Sequence, residues 1–203
     1  MRSYTAPGAP GRCPRCLLLA DFCLCRDIGE ARASRPEILI VRHHWEALKS
    51  TGTARLAALA LSSLRILDMA AENPEPVRVE LGRLDDAWLL YPGLESEARL
   101  ATPPRTLVVL DGTWRQTRKM LRRLPELSRL PRFALDSAPQ RPRLRAAPRA
   151  AARSTFESIA DALSLLDSPA LGQHLLDLHA RFVQQTLLAR GHQPLVPPPT
   201  AGS

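Results

Sequence analysis

One short stretch gathers the residue types that chemistry needs. In Thr106-Leu107-Val108-Val109-Leu110-Asp111-Gly112-Thr113-Trp114 an apolar run ends in a carboxylate, a glycine and a hydroxyl. A strand that is apolar throughout is covered on both faces, as in parallel sheets, and such sheets bind ligands outside the carboxyl ends of their strands. Asp111 stands at such an end. A carboxylate partly desolvated there has a raised pKa; it can take a proton near neutrality, or orient a ligand's amino group. Gly112 permits close backbone approach. Thr113 can cap the next helix, whose N-terminus favours anionic groups. Trp114 either packs in the core or stacks on a base.

That helix, read from Thr113 to Leu124, divides by angle. Arg115, Arg118, Lys119, Arg122 and Arg123 fall within about 140° of its circumference, with Trp114, Thr117, Met120, Leu121 and Leu124 opposite. A solvated face usually mixes signs, and this one has no acid. It is either a plain exposed surface or a track for a phosphate backbone.

The whole chain repeats the bias. Its 203 residues carry 28 Lys+Arg against 20 Asp+Glu, and only Lys49 and Lys119 are lysines. From Pro103 to Arg153 there are 13 basic residues and 3 acids, a net of +10, so the remainder is slightly acidic. Arginine grips phosphate bidentately and stacks on bases. A near-neutral scaffold with one basic segment points to a polyanionic partner. Hydrophobic content of 45% excludes a disordered chain or a fibre. No run of about 18 apolar residues suggests a membrane helix.

All four cysteines lie in the pattern C-x2-C-x6-C-x-C: Cys13, Cys16, Cys23 and Cys25. The N-terminal MRSYTAPGAPGRC has no apolar segment of the secretory kind, so the expected setting is the reducing cytoplasm, where disulfides are disfavoured. Four thiolates this close can hold one tetrahedral zinc with no open position, hence structural rather than catalytic. A redox pair and four incidental thiols are the other readings.

Positioning these groups requires a layered fold. Ile38–Val41, Leu64–Met69, Trp88–Tyr91 and Thr106–Leu110 read as strands, with a short one at Phe133–Leu135. Asn73-Pro74-Glu75-Pro76 reads as a breaker and Ser137–Ala152 as a loop. His43–Leu61 reads as a loop entering a helix. Ser154-Thr155-Phe156-Glu157 is a capping box opening a helix to about Leu166, and a last helix spans about Leu171–Arg190. Strands alternating with helices predict an α/β fold with a mostly parallel sheet. The predicted organisation is a zinc clip in 1–35, a catalytic domain in 36–193 and a disordered tail in 194–203.

Asp111-Gly112-Thr113-Trp114 resembles the D-x-T-W signature of the DTW-domain proteins, the tRNA-uridine aminocarboxypropyltransferases. So do the cysteine cluster, His43 and Glu46, Thr53-Ala54-Arg55-Leu56, Tyr91-Pro92-Gly93, Trp114–Met120 and Ser154–Glu157, colinear from about Cys13 to Leu166. The resemblance implies a SPOUT-like fold with a C-terminal trefoil knot. It implies S-adenosylmethionine as co-substrate and transfer of its 3-amino-3-carboxypropyl group to N3 of a tRNA uridine, leaving methylthioadenosine. On it, Asp111, Thr113 and Trp114 would be catalytic. Tyr91, Pro92, Gly93, Leu110, Gly112, Ser154 and Thr155 would hold the co-substrate, with helix capping the plainer role for the last two. His43, Glu46, Arg55, Arg115, Arg118, Lys119, Arg122, Arg123, Arg141, Arg143 and Arg145 would hold tRNA. A SPOUT-type RNA methyltransferase and a non-catalytic zinc-containing RNA-binding protein are the competing readings.

Overall fold

The central apolar runs become strands because they find cover on both sides. A computed structural model describes residues 9–29, 31–33, 35–47, 49, 51–91, 102–136, 141 and 153–192. Strands β1 (Glu37–His43) and β4 (Thr106–Asp111) lie side by side at the centre. β2 (Leu64–Met69) flanks β1, β3 (Ala87–Leu90) flanks β4, and β5 (Arg132–Phe133) adds to β3. The order is β2-β1-β4-β3-β5 and all pairings are parallel. The α/β expectation with a parallel sheet therefore holds.

Alternation along the strands splits the core in two. Ile38, Ile40, Leu107 and Val109 pack with α2 (Thr53–Ala60), α5 (Thr155–Leu166) and α6 (Pro169–Leu188). Leu39, Val41, Val108 and Leu110 pack with α3 (Glu75–Gly82) and α4 (Trp114–Arg123). The result is a helix–sheet–helix sandwich. Cys16, Leu18 and Leu24 of the N-terminal clip are buried in the first of these clusters. None of the described helices is long and apolar enough to cross a membrane.

Two readings change. The Asn73–Pro76 breaker opens a helix: proline is tolerated in a first turn, and the Asn73 side chain accepts the Glu75 N–H at 2.9 Å. His43 belongs to β1, and a single turn, α1 (His44–Ala47), follows it directly. The expected loop at 137–152 falls almost wholly outside the described residues, as does the expected disordered tail at 194–203.

Candidate active site

Asp111 ends β4 and is buried, with 7% of its surface exposed. The elements around it fix it from two sides. On one side Thr113 caps α4 in a reciprocal capping box: its Oγ1 accepts the Gln116 N–H at 3.3 Å, and Gln116 Oε1 accepts the Thr113 N–H at 2.6 Å. A Cβ on Gly112 would stand 3.2 Å from Gln116 Cβ, so the turn between strand and cap is tight and a side chain there would press on the cap. Gln116 Nε2 also lies 3.4 Å from His43 Nδ1, which accepts the Trp45 N–H at 3.3 Å. The neutral ring therefore carries its proton on Nε2. Burial, helped by His44, pushes the His43 pKa down and keeps the ring neutral.

On the other side α5 points its N-terminus at the same carboxylate. Ser154 and Glu157 form its capping box, and Thr155 Oγ1 donates to Asp111 Oδ1 at 2.6 Å. Burial pushes the Asp111 carboxyl up to about 6, although the Thr155 hydroxyl pulls it down; the Glu46 charge adds to the rise, and Arg42 and Lys49 oppose it.

A pocket of about 170 Å³ is lined by Leu110, Gly112 and Thr155, the chain neighbours and hydrogen-bond partner of this carboxylate; Asp111 and Thr113 themselves are not among its lining residues. Leu90, Val109 and Leu110 give it an apolar lining; Tyr91 and Trp114 supply aromatic faces, and Thr155 and Arg153 polar groups. The two aromatic rings meet edge to face at 6.1 Å, and the Arg132 guanidinium covers Tyr91 at 5.6 Å. Of the residues predicted to hold a co-substrate, Tyr91, Leu110, Gly112 and Thr155 line this pocket. Ser154 does not: it caps α5, and its Oγ lies 3.2 Å from Nε2 of the buried His179. Pro92 and Gly93 lie outside the described residues.

Trp114 is 45% exposed, on the pocket's edge rather than in the core. Standing first in α4, it lies beyond the apolar floor that Met120 and Leu124 enter. Sequence reasoning missed Arg153, Thr117, Leu135 and Ser158 in the lining. Only Arg153, directly before a capping box, carried a usable signal.

The predicted RNA contacts separate into two groups. Arg115, Arg118, Lys119 and Arg122 project from α4 as an exposed basic face, although Arg118 Nε also donates to the Trp114 carbonyl at 3.3 Å. The others make internal contacts. Arg123 donates to the Ala71 carbonyl at 2.7 Å, and Arg55 to the Ala47 and Lys49 carbonyls at 2.7 and 3.2 Å. Glu46 pairs with Lys49, and Arg141 forks onto Asp161 at 2.8 and 2.9 Å. His43 is buried against the α4 cap. Arg143 and Arg145 lie outside the described residues.

At the clip, the sulfurs of Cys13, Cys16, Cys23 and Cys25 lie within 4.8 Å of one another. Cys13 and Cys25 are 3.6 Å apart, Cys16 and Cys23 3.8 Å. A tetrahedron with Zn–S bonds of about 2.3 Å has S···S edges of about 3.8 Å, so the donor set fits zinc. Leu17, at φ 60°, makes the tight turn after Cys16, and its N–H returns to the Cys13 carbonyl at 2.9 Å.

A three-layer α/β sandwich with a pocket at the carboxyl ends of its central strands is a ligand-binding architecture of the doubly wound class. The DTW domain matches residues 11–187, so the chain belongs to the DTW-domain family. It is similar to tRNA-uridine aminocarboxypropyltransferase 2 of Drosophila melanogaster, 29% identical over 186 residues, covering 86% of this chain and 74% of the fly protein. No solved structure matches.

Proposed function

We propose that the protein is an S-adenosylmethionine-dependent tRNA-uridine aminocarboxypropyltransferase. The observation that carries this reading is Asp111: a buried carboxylate with its pKa near 6, held by Thr155 of an aromatic-walled pocket and standing directly before an all-basic helix face. Family membership and the fly relative's name supply the reaction class.

S-adenosylmethionine, when bound, supplies a carbon activated by its sulfonium. Tyr91 and Trp114 suit a planar base and a cationic sulfur, because aromatic faces attract both. Uridine N3 carries a proton that must leave as the new N–C bond forms and the C–S bond breaks. Asp111 receives it: a base with pKa near 6 is ionised at neutral pH and still has driving force to accept. Thr155 fixes the carboxylate's orientation, and the α4 arginines hold the phosphates that bring the uridine to it. The cysteines would hold a structural zinc and take no part in the chemistry. A SPOUT-like knotted path is part of the same proposal and rests on family membership.

Incubation with labelled S-adenosylmethionine and bulk tRNA tests the reading. Methylthioadenosine and an aminocarboxypropyl-uridine are the expected products. S-adenosylhomocysteine would make the protein a methyltransferase, and neither by-product would make it a binding protein.

A further inference from the structure

Three rings leave the carboxyl end of β1 in succession. His43 and His44 stack at 4.3 Å with 27° between planes, and His44 meets Trp45 at 5.1 Å and 43°. The first ring is anchored through Gln116 to the cap of α4, and its Nδ1 also receives the Trp45 backbone N–H. The last ring is 49% exposed. Trp45 does not line the pocket, so the co-substrate does not account for it.

Single exposed apolar side chains need no explanation. Trp45 differs in three respects. Its backbone is pinned to the residue beside Asp111's strand, since Arg42 and Asp111 are register partners across β1 and β4. Its ring leans on His44 at 5.1 Å in a tilted contact, which limits the side-chain freedom to be lost on binding. Its chain neighbour His43 touches Gln116 of α4 and feels the Lys119 charge, so the turn that carries Trp45 is tied to the helix that bears Arg115, Arg118, Lys119 and Arg122. An exposed indole on a turn tied to a cation-bearing helix suits unpaired RNA: the cations take phosphates and the ring takes a base.

Building on the proposed function, we infer that Trp45 is a stacking platform for an unpaired nucleobase of the tRNA, adjacent in the strand to the target uridine. The pocket side of the site, with Trp114, takes the co-substrate. The β1 side, with Trp45, takes the flanking base, and the target base lies between them at Asp111. Trp45 is thus a positioning residue that touches substrate RNA away from the reacting atoms.

The test uses the full chain with a tRNA stem-loop substrate and two variants. W45A should raise the KM for RNA roughly 5- to 150-fold, the range reported for loss of one base–aromatic stack. Its KM for S-adenosylmethionine and its melting temperature should stay at wild-type values. W45F should restore RNA binding to within about threefold, since a phenyl ring still stacks. The decisive arm removes the base instead: an abasic residue placed 5′ or 3′ of the target uridine should weaken wild-type binding about as much as W45A does, at one of the two positions. W45A should lose nothing further on that RNA. The salt dependence of binding should be unchanged in W45A, because no phosphate contact is lost.

Unchanged RNA binding in W45A overturns the inference and leaves the exposed indole to a protein contact. Additive losses from W45A and the abasic RNA also overturn it, as does a fall in co-substrate affinity or stability. If wild-type protein neither binds nor modifies tRNA, the proposed function itself has failed, and that outcome is visible before any variant is made.

Discussion

Thr155 donates its hydroxyl to Asp111 across 2.6 Å, and this one hydrogen bond joins the N-terminus of α5 to the carboxyl end of β4. It ties together residues 44 positions apart in the chain and opposes the burial that raises the carboxyl's pKa. The proposed chemistry and part of the C-terminal packing meet at this contact.

The pH dependence of transfer should report Asp111 directly. Turnover should fall as pH drops through about 6, where the base becomes protonated. Thr155→Val removes a donor that favours the ionised form, so the acid limb should move to higher pH. Asp111→Asn should lower turnover by a factor of about 10²–10⁴ while tRNA affinity stays close to wild type. A wild-type pH profile in Thr155→Val would remove Thr155 from the mechanism.

The same carboxylate should weigh on stability, with a definite sign. Its folded pKa lies above the unfolded value, so the native state binds the proton more tightly and stability decreases as pH rises from about 4 to 6. Asp111→Asn keeps an acceptor for Thr155 and removes the buried charge. Its melting temperature should exceed wild type by several degrees at pH 7.5, with the gap closing towards pH 4. Calorimetry at the two pH values checks this.

Two arginines should behave as different kinds of residue. Arg115 is exposed on α4, so Arg115→Ala should weaken tRNA binding and lower the salt slope by about 0.7–0.9 for the phosphate lost. Arg141 is forked onto Asp161, which also receives Arg153 Nε at 2.7 Å. Arg141→Ala should lower the melting temperature and leave the salt slope nearly unchanged. Binding titrations at several salt concentrations, paired with melts, separate the two.

The clip should contain one zinc per chain by elemental analysis. Cys23→Ser with Cys25→Ser, or prolonged chelation, should lower the melting temperature by about ten degrees or more, since structural zinc binding is folding energy. Leu18 and Leu24 carry that loss into the core cluster they share with Ile38. A metal-free protein of unchanged stability would exclude the zinc site.

The junction of α5 and α6 should tolerate no added carbon. A Cβ on Gly172 would stand 2.5 Å from Ser164 Cβ and 2.8 Å from the Ala160 carbonyl oxygen. Gly172→Ala should cost about 1–3 kcal/mol in denaturant melts. Ser164→Gly should restore only part of it, because the backbone contact remains.

What could be read from the chain followed the range of the forces involved. β1 and β4 were legible because uninterrupted Ile-Leu-Ile-Val and Leu-Val-Val-Leu runs suit a strand covered on both faces. The Ser154 and Thr113 caps were legible because a cap acts within three residues. α3 was not, because Pro74 and Pro76 look alike as breaker and as first-turn residues until the Asn73 contact is seen. The angular pattern of α4 separated basic from apolar faces. It could not show that Arg123 is taken up by a carbonyl 52 positions back, nor that Trp114 lies beyond the apolar floor. The Asp111–Thr155 contact depends on chain return over the whole C-terminal half, and no local signal encodes it.

The all-parallel order β2-β1-β4-β3-β5 also sets when the site can exist. Every strand pairing spans a crossover, so none can form as a local hairpin, and such topologies reach their native contacts slowly. During synthesis Asp111 leaves the ribosome well before Thr155, and the pocket lacks one wall until α5 has folded back. Binding of the proposed co-substrate would then be a measure of completed folding: a nascent or truncated chain ending before α5 keeps its signature sequence and its basic helix, yet lacks the assembled pocket.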